Sequence, residues 1–455
     1  MSANSRDLTR GRIPPMLLRL TLPMLLGMVS MTLFNLADTM YVGWLGKTQL
    51  AALSFTFPVV MVLNSIAMGV GIGGAALVST LVGAGDRQRV RRLSTDALVL
   101  GFILALAAAV IGEWTIRPLF RLLGAEGQVL EYIVEYMRIW YPGLVFVVVP
   151  MVGNNLIRAT GDMKVPGLIM TASALINIVL DPLLIFGPGP FPALGVSGAA
   201  LATLISRALS MVISLRVVVV RERMLDVRGI SGPGLIRSWR SIMAIGLPAA
   251  LTYIITPLSM GVITRMVAGF GTTAVAGFGV ATRLEMLVMM VLVSLASVLV
   301  PFSGQNRGAG RMDRVRRAVQ ISFRFAMFWS LLMLGVFLLF GRSVAGVFSR
   351  DAGVVRVAVT YMVLLCGSYT FQGFLVFVSS VLNALKRPIH SLSLALVRLL
   401  LFYIPLAWLG SRWFGLAGIF AGAALANIIA GLVSVPVLAR ITGPLGGSES
   451  PTVEP

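Results

Sequence analysis

The chain has 455 residues, of which 57% are hydrophobic and only 12% charged, against roughly 25% charged in soluble proteins; an ordinary water-soluble enzyme is excluded. Its 37 Lys and Arg against 17 Asp and Glu give a net charge of +20, but the basic residues sit in short connections between apolar runs, which suits orientation in a membrane rather than a nucleic-acid face. Cys366 and His390 are each the sole residue of their kind, so no disulfide within the chain and no Cys-based metal site is expected.

The first apolar run follows Arg6, Arg10 and Arg12, is long enough to span and lacks a small-residue cleavage site, so it reads as a spanning helix rather than a removable leader. Runs of about the 20 residues needed to cross the hydrocarbon layer recur at 17–44, 53–82, 94–116, 129–157, 166–187, 195–220, 242–269, 274–303, 318–341, 354–384, 389–411 and 415–439. Twelve spans are predicted, several long enough to require tilt or kinks. Alternate connections carry 22 Lys and Arg on one side and seven on the other, which predicts a cell-membrane protein with both termini cytoplasmic.

An internal repeat organises these spans. A shift of 225 residues places Leu22-Pro23 on Leu247-Pro248, Gly46 on Gly271 and Gly83-Ala84-Gly85 on Gly308-Ala309-Gly310. It also places Arg89-Val90-Arg91-Arg92 on Arg314-Val315-Arg316-Arg317 and Tyr136-Met137 on Tyr361-Met362, and with a small drift Gly198 to Ala202 match Gly422 to Ala426. Six helices per repeat is an even number, so the two lobes share one orientation and are related by a pseudo-two-fold axis along the membrane normal. The expected fold is all-α and polytopic: an N-terminal lobe at 1–220, a cytoplasmic linker at 221–240 with Gly229, Gly232, Pro233 and Gly234, a C-terminal lobe at 241–442, and a disordered tail at 443–455.

Enzyme-like strings do not survive their context. Gly69, Gly71 and Gly74 satisfy a dinucleotide-binding spacing but lie inside a spanning helix with no preceding strand, which favours helix packing through small residues. No zinc cluster or nucleophile motif is present, so no catalysis and no cofactor is expected.

The intramembrane acids carry more information, because a carboxylate at the bilayer centre costs about 2.5–3.5 kcal/mol on insertion scales and persists only with a partner, a proton or a function. Asp38 and Asp181 lie about 21 and 16 residues into helices that start from the same side, so at about 1.5 Å per residue both reach the far half of the membrane. Asn177 is one turn before Asp181 on the same helical face, and Pro182 leaves the carbonyl of Ile178 without its helical donor. Carboxylate, amide and carbonyl oxygens suit Na⁺, and paired carboxylates also carry protons, so either ion fits; a structural hydrogen-bonded cluster is the plain alternative. The shift places Ile263 opposite Asp38 and Tyr403, Ile404 and Pro405 near the counterpart of Asp181, so ion coupling is expected in the N-terminal lobe alone. Glu285, near the start of the eighth span, either snorkels to the interface, pairs internally or reads substrate charge. Asn154 and Asn155 either cap helix four or line the cavity, and Pro23, mid-helix, is either a hinge or a static kink.

These strings resemble the multidrug and toxic-compound extrusion (MATE) family over nearly the whole chain. The residues that carry the resemblance are Asn35 to Asp38 running to Gly46, Arg158 to Asp162 with Pro166, Asn177 to Pro182, and Gly195 to Thr203. Asp38 and Asp181 with Arg283-Leu284-Glu285, and the lack of acids in 361–380, are similar to the DinF-like branch rather than the NorM-like one. The resemblance implies two V-shaped six-helix lobes and export of amphipathic, often cationic drugs against inward H⁺ or Na⁺. It further implies a cation site of Asp38, Asn177, Asp181 and Thr203 and a bend at Pro23, and it places Met31 and Phe34 where neighbours of the site vary among relatives; the expected substrate cavity takes in these two with Asn154, Asn155 and Glu285. The expected function is therefore a secondary active multidrug antiporter working by alternating access. Its expected partners are small organic molecules and membrane lipid; a monomer is expected, with neither nucleic acid nor an obligate protein partner. The alternative is a lipid or lipid-linked oligosaccharide flippase of the related superfamily, which would prefer a strongly cationic cavity.

Overall fold

The structure, a computed structural model, describes residues 7–189, 192–226 and 232–443, with the side chain of Thr256 left aside. Gly229 of the expected linker and residues 444–455 of the expected tail lie outside the described residues. In chain order the helices are α1 (Ile13–Leu45), α2 (Lys47–Gly83), α3 (Arg87–Leu122), α4 (Gly127–Trp140), α5 (Leu144–Ala159), α6 (Lys164–Phe186) and α7 (Gly195–Arg216). They continue as α8 (Gly232–Ala268), α9 (Thr272–Gly308), α10 (Met312–Gly346), α11 (Ala352–Cys366), α12 (Tyr369–Ala384), α13 (Pro388–Val397) and α14 (Ile404–Thr442). Wide π turns extend α7 over Val217–Arg221 and join α13 to α14 over Arg398–Tyr403. No strand occurs among the described residues.

Nine of the described helical stretches are long and apolar enough to cross a membrane, and the bent pairs α4–α5 and α11–α12 supply two more. The stretch Pro388–Thr442 has 55 residues, about 80 Å of helix against a hydrocarbon core of about 30 Å. It breaks at Gly415, whose φ of 61° and ψ of −139° no helix contains, so it makes two passes and the total is twelve. The apolar runs at 129–157 and 354–384 are not straight spans as their hydropathy suggests: they bend by 52° and 59°. The breaks fall at Pro142-Gly143 and Gly367-Ser368, which the 225-residue shift places on one another.

The repeat is visible in backbone conformation. Gly46 and Gly271 precede α2 and α9 with φ of 145° and 94°, and Gly85 and Gly310 end those helices' connections with φ of 76° and 71°. A side chain disfavours this left-handed region, so glycine at both members of each pair sets the same turn twice. The small-residue string in α2 serves packing. A Cβ on Gly69 or Gly73 would meet the carbonyls of Gly246 and Ile242 at 2.4 and 2.3 Å, and one on Gly71 would meet the Asn155 amide at 2.5 Å. Lipid tails are as apolar as leucine, so such close backbone approach, rather than water exclusion, holds helices together in a bilayer.

The described residues divide into two compact units, one built on Leu18–Ile254 and the other on Thr9–Leu17 with the chain from Ile255. Residues 232–240, expected in the linker, form the first turns of α8, where the Trp239 indole donates to the Asp96 carbonyl at 2.9 Å. Asp162 closes the Arg158-Ala-Thr-Gly-Asp162 string. Its Oδ1 caps α6 by accepting from the backbone of Lys164 and Val165 at 3.0 and 3.1 Å, and its Oδ2 accepts from Arg221 at 2.8 Å.

Candidate functional site

Helix register brings the first unit's acids together. α6 and α7 run antiparallel in such close contact that a Cβ on Gly198 would lie 2.2 Å from the Leu184 carbonyl oxygen. Further along, Asn177 faces Thr203, and the Ser173 hydroxyl donates to the Ser206 carbonyl at 3.3 Å. α1 and α6 run parallel: Gly27 packs on the Gly167 carbonyl, and the Ser30 hydroxyl donates to Thr171 at 3.3 Å. Carried forward two turns, that register sets Asp38 alongside 178–181.

Asp181 is 0% exposed and Asn177 1%. With its amide oriented to satisfy both ends, Asn177 donates to Asp181 Oδ2 at 2.9 Å and accepts from the Thr203 backbone N–H at 3.1 Å; the Thr203 hydroxyl is 3.4 Å from the same amide end. Asp38 Oδ1 is buried without a hydrogen-bond partner. The two carboxylates act on each other electrostatically, and both act on the buried phenol of Tyr136 in α4. Neither carboxylate has an ion pair among the described residues. Sequence reasoning passed over Tyr136 as a site residue, although its match to Tyr361 in the repeat marks it: the same position faces the acid of each half.

The residues expected at the cavity are placed as follows. Phe34 is buried beneath the Arg207 guanidinium, 6.0 Å from its ring centre, and Met31 is half-buried on the same helix. Asn155 spends its amide internally, donating to the Met151 carbonyl at 2.8 Å and accepting from Arg158 at 2.6 Å, while Asn154 Oδ1 is buried with no partner. Pro23 sits where α1 touches α6: a Cβ on Gly167 would lie 2.3 Å from its carbonyl oxygen. Glu285 belongs to the second unit. There its Oε2 accepts from the Tyr361 hydroxyl at 2.5 Å, Gln372 donates to the same carboxylate, and the charge of Arg398 reaches it. Arg398 also stands 5.3 Å from the Tyr403 ring, so the π turn Arg398–Tyr403 frames this acid.

The Asn177 amide nitrogen thus turns to Asp181 while its oxygen is held by the Thr203 backbone, and no basic side chain pairs with either carboxylate among the described residues.

Known proteins share this architecture. A family model described as MatE matches residues 23–183 and 248–409, one block in each half of the repeat. The chain is 38% identical over 443 residues to the FAD transporter of Shewanella oneidensis, covering 97% of each chain. It is 26% identical over 371 residues to the probable multidrug resistance protein YoeA of Bacillus subtilis, covering 80% of this chain and 79% of that one. The crystal structure of a point mutant of VcmN, a Vibrio cholerae MATE transporter, matches with a TM-score of 0.90 at 29% identity, covering 97% of this chain and 98% of that one. With twelve spans, a repeat matched in both halves and relatives along its whole length, the chain belongs to the MATE family and is a multi-pass membrane transporter rather than an enzyme.

Proposed function

We propose that the protein is a secondary active antiporter that works by alternating access and couples export to inward H⁺ or Na⁺ at Asp38 and Asp181. One observation carries this reading: two carboxylates meet inside the first unit with no cation of the protein's own, and one oxygen of Asp38 is buried without a donor. A buried charge in that setting is costly, so an external proton or Na⁺ stabilises whichever conformation holds the acids this way. An ion shifts a conformational equilibrium only through unequal affinity for the two states. The acids must therefore change surroundings during the cycle, and α1 is the element that changes them. Its contact at Pro23 and Gly167 supplies the pivot: a bend at Pro23 slides Asp38 relative to Asp181 without unwinding either helix. Both termini are assigned to the cytoplasm.

For the exported molecule, amphipathic and often cationic organic compounds are the first reading. The 38% identity to a protein named as an FAD transporter favours a second, in which the substrate is a flavin dinucleotide. Efflux from proteoliposomes decides among these. A fluorescent organic cation and FAD are loaded separately, and an inward pH gradient or Na⁺ gradient is imposed. Efflux of one compound driven by one gradient, and absent in Asp38→Asn, is the expected outcome. Transport indifferent to both gradients overturns the antiporter and turns attention to a lipid flippase.

A further inference from the structure

The residues just before α1, Thr9 to Arg12, are tied down, and with the first turn of α1 they form a strap. Thr9–Leu17 packs with the second unit, held by backbone carbonyls that accept from arginines of the α9–α10 corner. Arg311 Nη1 donates to Thr9 O and Arg314 Nη1 to Gly11 O, each at 2.9 Å. Gly11 has a φ of 84°, a left-handed turn that aims its carbonyl at Arg314. Arg314 is fixed further by its bond to Asn306 Oδ1 at 3.1 Å and by its stack over Phe302 at 5.9 Å.

Between this strap and α10 lies a cavity of about 730 Å³, open on one side. Four guanidinium groups, from Arg12, Arg314, Arg317 and Arg324, line it against the single carboxylate of Asp313. Arg12, Arg317 and Arg324 are exposed and make no ion pair among the described residues. So dense a cationic lining, four guanidinium groups against one lining carboxylate, repels itself and calls for an anion.

Its depth in the membrane identifies the source of that anion. Arg314, Arg317, Ile321 and Arg324 recur at three- and four-residue steps and share one face of α10. The same face continues as Phe328, Leu331 and Leu338, all exposed, which is the surface lipid tails cover. No charged residue occurs between Arg324 and Arg342, a separation of about 27 Å at about 1.5 Å per residue, close to the hydrocarbon thickness of about 30 Å. Arg324 therefore stands at the border between tails and headgroups, with Arg317 and Arg12 in the headgroup layer. In the first half the shift places Val99 where Arg324 stands. There α3 is closed over by the chain after α7, with Asp226 N–H on Thr95 and Trp239 on the Asp96 carbonyl, and Arg89 pairs with Asp86. Among the described residues, the counterpart face of α3 is therefore covered where that of α10 is open.

We propose that this pocket binds the phosphate of an anionic lipid headgroup, with Arg12, Arg317 and Arg324 as its ligands and the acyl chains lying along Phe328 and Leu331. Basic pockets at helix ends in the headgroup layer are suited to such recognition. The test is thermal unfolding of the purified full-length chain in neutral detergent, titrated in turn with phosphatidylglycerol, phosphatidylcholine and pyrophosphate. Saturable stabilisation by phosphatidylglycerol and none by phosphatidylcholine is expected. The double variant Arg317→Gln/Arg324→Gln should weaken the apparent affinity about tenfold or more, with Arg324→Gln alone showing part of that loss. Both residues are exposed, and Arg314, which holds the strap, is left intact. A control, Arg350→Gln/Arg356→Gln, removes the same charge elsewhere and should respond as the wild type does. Equal responses of wild type and the Arg317/Arg324 variant, or an equal loss in the control, overturn the pocket. A response to pyrophosphate with none to phosphatidylglycerol overturns the lipid as its source.

Discussion

In the first unit Asp38 and Asp181 come together with Asn177, Thr203 and Tyr136, and no basic group pairs with either acid. In the second unit Glu285 is surrounded by Tyr361, Gln372 and the charge of Arg398. The frames are the same: a tyrosine on equivalent positions 136 and 361, a bend in the helix pair that carries it, and a tight crossing at Gly198 and Gly422. The difference lies in where the compensating positive charge comes from. For Glu285 the charge of Arg398 reaches it from within the protein. No basic group acts on Asp38 or Asp181, and in the proposed cycle they obtain that charge from outside. In the proposed cycle the duplicated scaffold thus holds one acid that has a basic neighbour and one acid pair open to exchange, with the first half as the sensor and the second as its counterpart.

The sharpest way to break this contrast is to neutralise the acids one at a time. Asp38→Asn or Asp181→Asn is expected to reduce gradient-driven efflux to the level of liposomes without protein, while the variant elutes and unfolds as the wild type does. Glu285→Gln is expected to leave the gradient dependence in place, whatever it does to the rate. If Glu285→Gln also uncouples transport, the second half is a coupling site too and the division of labour is wrong.

A double-mutant cycle on the second half measures how far its charge is compensated internally. Arg398→Gln alone leaves Glu285 without its cation and should lower stability, whereas Arg398→Gln/Glu285→Gln should recover most of that loss. Both groups are partly exposed, so the expected coupling is about 1 kcal/mol rather than the several found for fully buried pairs. Thermal or denaturant unfolding in detergent reads it. Additive effects of the two substitutions would mean that Arg398 serves Tyr403, 5.3 Å from it, and not the acid.

Much of this frame was legible in the residues because membrane chemistry writes itself into sequence. Twelve apolar runs had to be helices, since backbone groups in hydrocarbon have no other partners, and the Asn177–Asp181 spacing had to put amide and carboxylate on one face. The bends within 129–157 and 354–384 were not legible, because two residues at a break, such as Pro142 and Gly143, vanish in a hydropathy window filled by their apolar neighbours. The attachment of Thr9–Leu17 was not legible either, for it depends on arginines some 300 residues away. Tyr136 was passed over for the opposite reason. Its signal was present in the repeat, but a tyrosine becomes a site residue only once α4 carries it to the carboxylates of α1 and α6.

The smallest expected effect tests what the halves share. A Cβ at Gly198 would lie 2.2 Å from the Leu184 carbonyl oxygen, and one at Gly422 would lie 2.3 Å from that of Leu406. Both contacts are with backbone, which cannot rotate aside as a side chain would, so each pair of helices must separate by about an ångström or lose hydrogen bonds. In the first half the threatened carbonyl also accepts from the Leu194 backbone N–H at 3.0 Å, the bond that closes the turn into α7. Gly198→Ala and Gly422→Ala should therefore each cost about 1–3 kcal/mol in unfolding free energy. Gly198→Ala should in addition impair cation coupling, because Thr203 and Asn177 face each other along the same crossing. Gly422→Ala, with no ion site beside it, should change stability alone. Equal losses of stability with coupling lost only in Gly198→Ala would separate what the duplication preserved, the crossing itself, from what one copy acquired along it.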